Sequence, residues 1–170
     1  TPGERKELAQ KRLKELAVYA GQNSPYYGRL YKELPEDWKL TDLPTVNKVD
    51  LMAHFDMWLT DRTVTEEAVN SFMEDRENIG RLMDGKYLIF TTSGSTGSPL
   101  VVLYDKTCMN ISSALSVLRA YARKEDLSAF IKKGKRTASI FAEGFYLGSG
   151  SVKYQLHRMP WKKGMMMNLD

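Results

Sequence analysis

Six hydroxyl side chains and two glycines are packed into the nine residues Thr91-Thr92-Ser93-Gly94-Ser95-Thr96-Gly97-Ser98-Pro99. Glycine permits positive φ and close backbone approach, so Gly94 and Gly97 let consecutive N–H groups converge on an anion. Ser93, Ser95 and Thr96 add hydroxyl donors whose oxygens also suit a hard cation. The chemistry this composition favours is the gripping of a phosphate chain. The same residue types build an ordinary solvated hairpin connection, and composition alone leaves both readings open. The segment is not the phosphate loop that ends in Gly-Lys-Ser/Thr, because no lysine follows Gly97 and an apolar run follows where a helix should begin.

Other reactive residues are sparse. His54 and His157 are the only histidines, and neither stands at metal-ligand spacing from a histidine, cysteine or carboxylate. Cys108 is the single cysteine, with no histidine near it in sequence to act as its base. A second glycine-rich stretch, Gly144-Phe145-Tyr146-Leu147-Gly148, offers two aromatic rings to line an apolar pocket.

The elements that must position these residues follow from periodicity and punctuation. Ala9, Leu13, Leu16, Ala17 and Ala20 recur at intervals of three and four, which predicts an amphipathic helix over 4–20 ending at Gly21. Ser24-Pro25 starts a second helix whose Tyr27, Leu30, Tyr31 and Leu34 share a face. Trp38 and Leu40 are expected to anchor the irregular segment from Pro35 to Pro44. Asn47 caps a short helix through Phe55, with Asp50 as its reciprocal partner. Thr65 caps another that ends near Asn78 and Gly80, with Val64 and Val69 at the two positions of a hydrophobic staple and Ala68, Val69, Phe72 and Met73 as its buried stripe. Asp84-Gly85 is a turn, after which strand character begins at Tyr87–Phe90 and resumes at Leu100–Tyr104. Asp105 or Thr107 caps a helix to about Lys124 with Ile111, Ala114, Leu115, Leu118, Tyr121 and Ala122 facing inward. Residues 137–142 form a further strand. The fold class expected is therefore α/β with α+β character: an N-terminal helical region, 1–84, then the start of an α/β lobe, 85–170, whose sheet carries the hydroxyl-rich loop.

The order Thr92-Ser93-Gly94-Ser95-Thr96-Gly97-Ser98-Pro99 resembles the signature loop of the adenylate-forming enzymes, the superfamily of acyl-CoA synthetases, luciferases and peptide-synthetase adenylation domains. Most members carry a lysine after the proline, where this chain has Leu100. That departure is similar to the branch of phenylacetate-CoA ligase, coenzyme F390 synthetase and CapK-like proteins. Leu16-Ala17-Val18-Tyr19-Ala20 leading to Ser24-Pro25-Tyr26-Tyr27, and Leu43-Pro44-Thr45-Val46-Asn47-Lys48-Val49-Asp50-Leu51, resemble that branch's N-terminal helices and the segment before its loop. The resemblance implies an N-terminal portion of an ATP-dependent ligase that activates a small carboxylic acid as acyl-AMP, with coenzyme A as candidate acceptor. It implies that Thr92, Ser93, Gly94, Ser95, Thr96 and Gly97 hold ATP, that magnesium arrives with the nucleotide and touches Thr96, and that Gly144, Phe145 and Tyr146 line the acid's pocket. The resembled family's adenine-recognition segment, ribose-binding aspartate and catalytic lysine fall outside this sequence, so no catalytic residue is assigned and no turnover is expected of the chain alone. A degenerate scaffold serving as a binding or assembly module is the alternative.

Composition sets the outer bounds. With 42% hydrophobic and 27% charged residues in 170, the chain has the balance of a globular protein. No run approaches the ~20 apolar residues of a membrane span, and the lone cysteine excludes an internal disulfide; together these favour a cytoplasmic setting. The net charge of +4 comes from lysine and arginine clusters that on the first helix alternate with Glu4, Glu7 and Glu15, the pattern of a solvated face. No interleaving of aromatic and basic residues supports nucleic-acid binding. Self-association stays open.

Overall fold

The computed structural model describes residues 1–92, 97, 99–134, 137–142, 150, 154 and 164–169, with the backbone alone in 137–142 and 164–169. The chain is mixed α/β, with helices preceding the first strand. It divides into two compact units, Thr1–Val69 and Asn70–Asp170.

The first unit is built from helices α1 (Pro2–Asn23), α2 (Pro25–Leu30), α3 (Lys48–Ala53) and α4 (Phe55–Trp58), and it contains the start of α5 (Glu66–Glu74). Ser24 is its junction. Its N–H closes α1 on the Ala20 carbonyl at 2.9 Å; its hydroxyl accepts from Tyr27 N–H at 3.3 Å to cap α2 and donates to the Met57 carbonyl at 3.1 Å. One residue, 1% exposed, thus satisfies the ends of three helices, its backbone N–H serving α1 and its hydroxyl α2 and α4. Pro25 at the first helical position loses nothing, since that N–H has no intrahelical partner. Beside the junction α1 and α2 approach so closely that a Cβ built on Gly28 would lie 2.8 Å from the Gly21 carbonyl oxygen.

Asn47 caps α3 as expected, accepting from Val49 and Asp50 N–H at 2.9 and 3.0 Å while its amide donates to the Asp50 carboxylate at 2.7 Å. The expected helix through Phe55 breaks at His54, whose Nδ1 donates to the Asp50 carbonyl at 2.9 Å. The break turns Phe55 inward, 2% exposed, with its ring edge-to-face on Trp58 at 5.8 Å. Thr65 caps α5 through Ala68 N–H at 3.2 Å, and the Asp56 carboxylate takes Glu66 N–H at 2.6 Å. Both staple residues, Val64 and Val69, are buried.

Several expectations about apolar faces are corrected. α1 runs past Gly21 to Asn23, and of its stripe only Ala17 is buried; Ala9 is exposed and Leu16 is 64% exposed. α2 stops at Leu30, so Leu34 lies beyond it. Leu40 is 67% exposed and Trp38 half-buried, so only the tryptophan anchors its segment. α5 ends at Glu74 rather than near Asn78 because Asp75 accepts Glu77 N–H at 2.9 Å and starts a separate short 3-10 turn, and Ala68 is exposed.

Burial raises the phenol pKa of both Tyr27 and Tyr31 above the ordinary 10.0, with neighbouring Tyr31 and Tyr26 adding to the shift of Tyr27. A raised folded-state pKa means the native chain binds these protons more tightly, so their contribution is complete below the unfolded pKa and lost as pH climbs through the folded one. Thermal stability is therefore expected to decline above about pH 10, less steeply in Tyr27→Phe. An identical alkaline slope in that variant would contradict the assignment.

In the second unit Asp84 and Gly85 take φ of +51° and +65°, the tight turn their types predict. The turn feeds β1 (Leu88–Thr91), which pairs antiparallel with β2 (Val101–Tyr104) in the register Leu88↔Tyr104 to Thr91↔Val101. Leu88 and Ile89 point to opposite faces yet are 1% and 0% exposed, so the ribbon is covered on both sides at that end. Leu88 clusters with Met109 and Tyr154, flanked by Leu82, Phe90 and Tyr104.

Asp105 caps α6 (Lys106–Ala120) through Cys108 N–H at 2.6 Å. The helix ends at Tyr121, short of Lys124, and α7 (Lys124–Lys132) follows. Its inner face is also corrected: Ile111, Leu115 and Leu118 are 55, 45 and 68% exposed, Ala114 and Ala122 are exposed, and Met109 alone is buried. Tyr121, half-buried, stacks on Phe130 of α7 at 4.7 Å. The expected strand 137–142 is present as β3, paired in parallel with β4 (Gly164–Leu169).

Candidate functional site

The hydroxyl-rich segment joins β1 to β2, so a sheet holds both its ends. At its neck the next rung of the ladder falls on Thr92 and Leu100. Thr92 N–H donates to the Leu100 carbonyl at 3.0 Å, an ordinary antiparallel bond. The return bond is unusual: Leu100 N–H donates at 2.9 Å to the Thr92 side-chain oxygen. A side chain thereby replaces a backbone carbonyl, and the loop is closed by the residue that begins it. The resemblance placed Thr92 among the residues that hold ATP and gave no hint that its oxygen also accepts a bond from the loop's far strand. The only available signal was the threonine's position directly across from Leu100.

Gly97 sits at φ +113°, a region that L side chains rarely adopt, and a Cβ built there meets nothing within 4 Å. The glycine is required by conformation rather than by crowding. Ser93, Gly94, Ser95 and Thr96, expected to contact the nucleotide, lie outside the described residues, as do Gly144, Phe145 and Tyr146 of the expected acid pocket and His157.

Replacing Thr92 by valine, which keeps the branched shape and loses the acceptor, is expected to cost about 1 kcal/mol and to accelerate exchange of the Leu100 amide roughly fivefold, with Thr92→Ser close to the parent. Unchanged Leu100 exchange in the valine variant would show that the clasp is not formed in solution.

The remaining reactive groups stand apart from chemistry. Cys108 is exposed and its N–H is held by Asp105. His54 donates from Nδ1 into its own helix, its ring 5.6 Å from that of Tyr26. Among the described residues no three of His, Cys, Asp and Glu gather to hold a metal, and no helix is long and apolar enough to cross a membrane.

No protein-family model matches the chain. Phenylacetate-coenzyme A ligase of Thermus thermophilus is 27% identical to it over 165 residues, which is 93% of this chain and 33% of the relative. The chain is distantly similar to an acid–CoA ligase. It spans about a third of that relative's length.

Proposed function

We propose that this chain is the N-terminal part of an ATP-dependent adenylate-forming ligase, in which a helical region, 1–84, precedes a nucleotide-binding lobe beginning at residue 85. The observation that carries the reading is the hydroxyl- and glycine-rich segment strung between two paired strands and clasped at its neck by Thr92. The distant similarity to a coenzyme A ligase supports it. Magnesium-bound ATP is the nucleotide substrate, a small carboxylic acid is the group activated as its acyl adenylate, and coenzyme A is the acceptor.

The described residues suit such a substrate. Gly97 exposes its backbone into open space at a φ that keeps side chains away, which leaves room for an approaching anion. Thr92 retains a hydroxyl proton to donate, because its oxygen acts as acceptor toward Leu100. Ser93, Gly94, Ser95 and Thr96 would complete the grip on the β- and γ-phosphates, and the Thr96 hydroxyl would be the chain's contribution to holding the magnesium. The work asked of these residues is positioning and offsetting the charge that builds on departing pyrophosphate. Gly144, Phe145 and Tyr146 line the pocket for the acid.

Titration of magnesium-ATP into the chain tests the reading. Saturable binding is expected, weakened about tenfold or more in Gly97→Val, since a β-branched residue at positive φ costs roughly 1–3 kcal/mol. The longer protein is expected to exchange pyrophosphate into ATP only when a suitable carboxylic acid is present, and this chain alone is not. Leu100 in the position of a common lysine supports the rival reading, a scaffold that binds and assembles without turnover. Nucleotide binding by the longer protein, with no exchange across a panel of aryl, alkyl and amino acids, would favour that rival. Failure to bind the nucleotide would overturn the loop's role.

A further inference from the structure

Within 1–69 lies a trough of about 580 Å³ whose residues the loop reading does not use. One wall is a single face of α1, where Lys6, Ala9, Gln10, Leu13 and Lys14 follow the spacing of three and four that brings side chains into line. The opposing wall is Asp37–Leu40. That wall is braced on both sides: Trp38 N–H bonds the Pro35 carbonyl at 3.2 Å, and Lys39 N–H bonds the Asp42 carboxylate at 2.8 Å. The volume is in the range of small-molecule sites, about 300–1,000 Å³, which are mostly apolar with a few convergent polar groups.

The charges on the rim are lopsided. Lys6, Lys14 and Lys39 surround the trough against the single carboxylate of Asp37. Lys14 Nζ stands 6.0 Å above the Trp38 ring, at the outer reach of a cation–π contact. The ion pair on this stretch of α1 is Lys11 with Glu15 at 3.9 Å, and among the described residues no carboxylate pairs with the three rim lysines. In the sequence Lys6 and Lys14 read as part of a solvated face; the trough gives them and Lys39 an apolar floor to surround.

We propose that this trough binds an organic anion with an apolar body, of the class of aryl or medium-chain aliphatic carboxylates. The body lies against Trp38, Leu13 and Leu40, and the carboxylate meets the ammonium groups of the rim. Three exposed ammonium groups, each weak alone, together favour the anion over a neutral analogue of the same shape by about tenfold. The site stands independently of the nucleotide loop, and its test contains no ATP.

Octanoate, octanol and octylammonium are titrated into the full chain by calorimetry and by tryptophan fluorescence. Octanoate is expected to bind about ten times more tightly than octanol, and octylammonium more weakly than either. In the combined Lys6→Gln, Lys14→Gln, Lys39→Gln variant the octanoate preference is expected to collapse while octanol affinity stays. Trp38→Phe should remove most of the fluorescence response. Ala9→Glu, at an exposed helical position where folding is not threatened, should abolish octanoate binding by placing a carboxylate in the trough. Equal binding of the three probes, no octanoate binding at millimolar concentration, or affinity unmoved by both the lysine and the Ala9→Glu changes would overturn the proposal.

Discussion

Gly28→Ala is expected to destabilise the 1–69 unit by about 2 kcal/mol, although alanine favours a helix over glycine by about 1 kcal/mol. The new Cβ would stand 2.8 Å from the Gly21 carbonyl oxygen. That atom is backbone inside α1 and cannot swing aside as a side-chain tip would. Relief requires the two helices to part, which strains both the Ser24 cap on α2 and the Ser24 bond to the Met57 carbonyl of α4. Overpacking of this kind costs about 1–3 kcal/mol and occasionally more, enough to outweigh the gain in propensity. The facing glycine supplies the control. A Cβ on Gly21 meets only the Tyr31 ring at 3.7 Å, an ordinary contact, so Gly21→Ala is expected to be neutral or slightly stabilising. Thermal unfolding separates the two: a fall of roughly 10 °C for Gly28→Ala and none for Gly21→Ala. Equal midpoints would mean that the close approach of α1 and α2 is not a feature of the native state.

Phe55→Ala is expected to cost about 4 kcal/mol. The ring is 2% exposed, and emptying such a site forfeits transfer energy and leaves a cavity, together about 3–5 kcal/mol for phenylalanine. Its edge-to-face contact with Trp58 contributes part of that sum. Against a total stability of ~5–15 kcal/mol this is a large fraction, so the urea midpoint should drop sharply and the near-ultraviolet dichroism of Trp58 should weaken. Phe55→Leu, which refills most of the volume, should recover more than half. A loss below about 1 kcal/mol for the alanine variant would show that the site collapses without a cavity.

Local chemistry was the legible part of this chain. Ser24-Pro25, Asn47, Thr65 and Asp105 act as caps because a short polar side chain ahead of an apolar run has one favourable use there. Asp84-Gly85 turns because few residues tolerate two successive positive φ values. What periodicity could not convey is whether a face is covered. It grouped Ile111, Leu115 and Leu118 correctly on one side of α6, yet that side is exposed, because only the first turns of the helix reach the cluster around Leu88. The break at His54 escaped notice for a related reason: histidine carries no breaker signal, and its bond to the Asp50 carbonyl shows only in three dimensions. For the candidate site, residue types exposed the loop and the glycine that needs positive φ, whereas the side-chain clasp depended on register across two strands.

A clasp made by a hydroxyl behaves differently from a backbone rung. Rotation of Thr92 about its Cα–Cβ bond releases the Leu100 amide at a cost near 1 kcal/mol and leaves every pairing from Leu88 to Thr91 in place. The ribbon therefore carries a latch that one rotamer can open, with the strands behind it undisturbed.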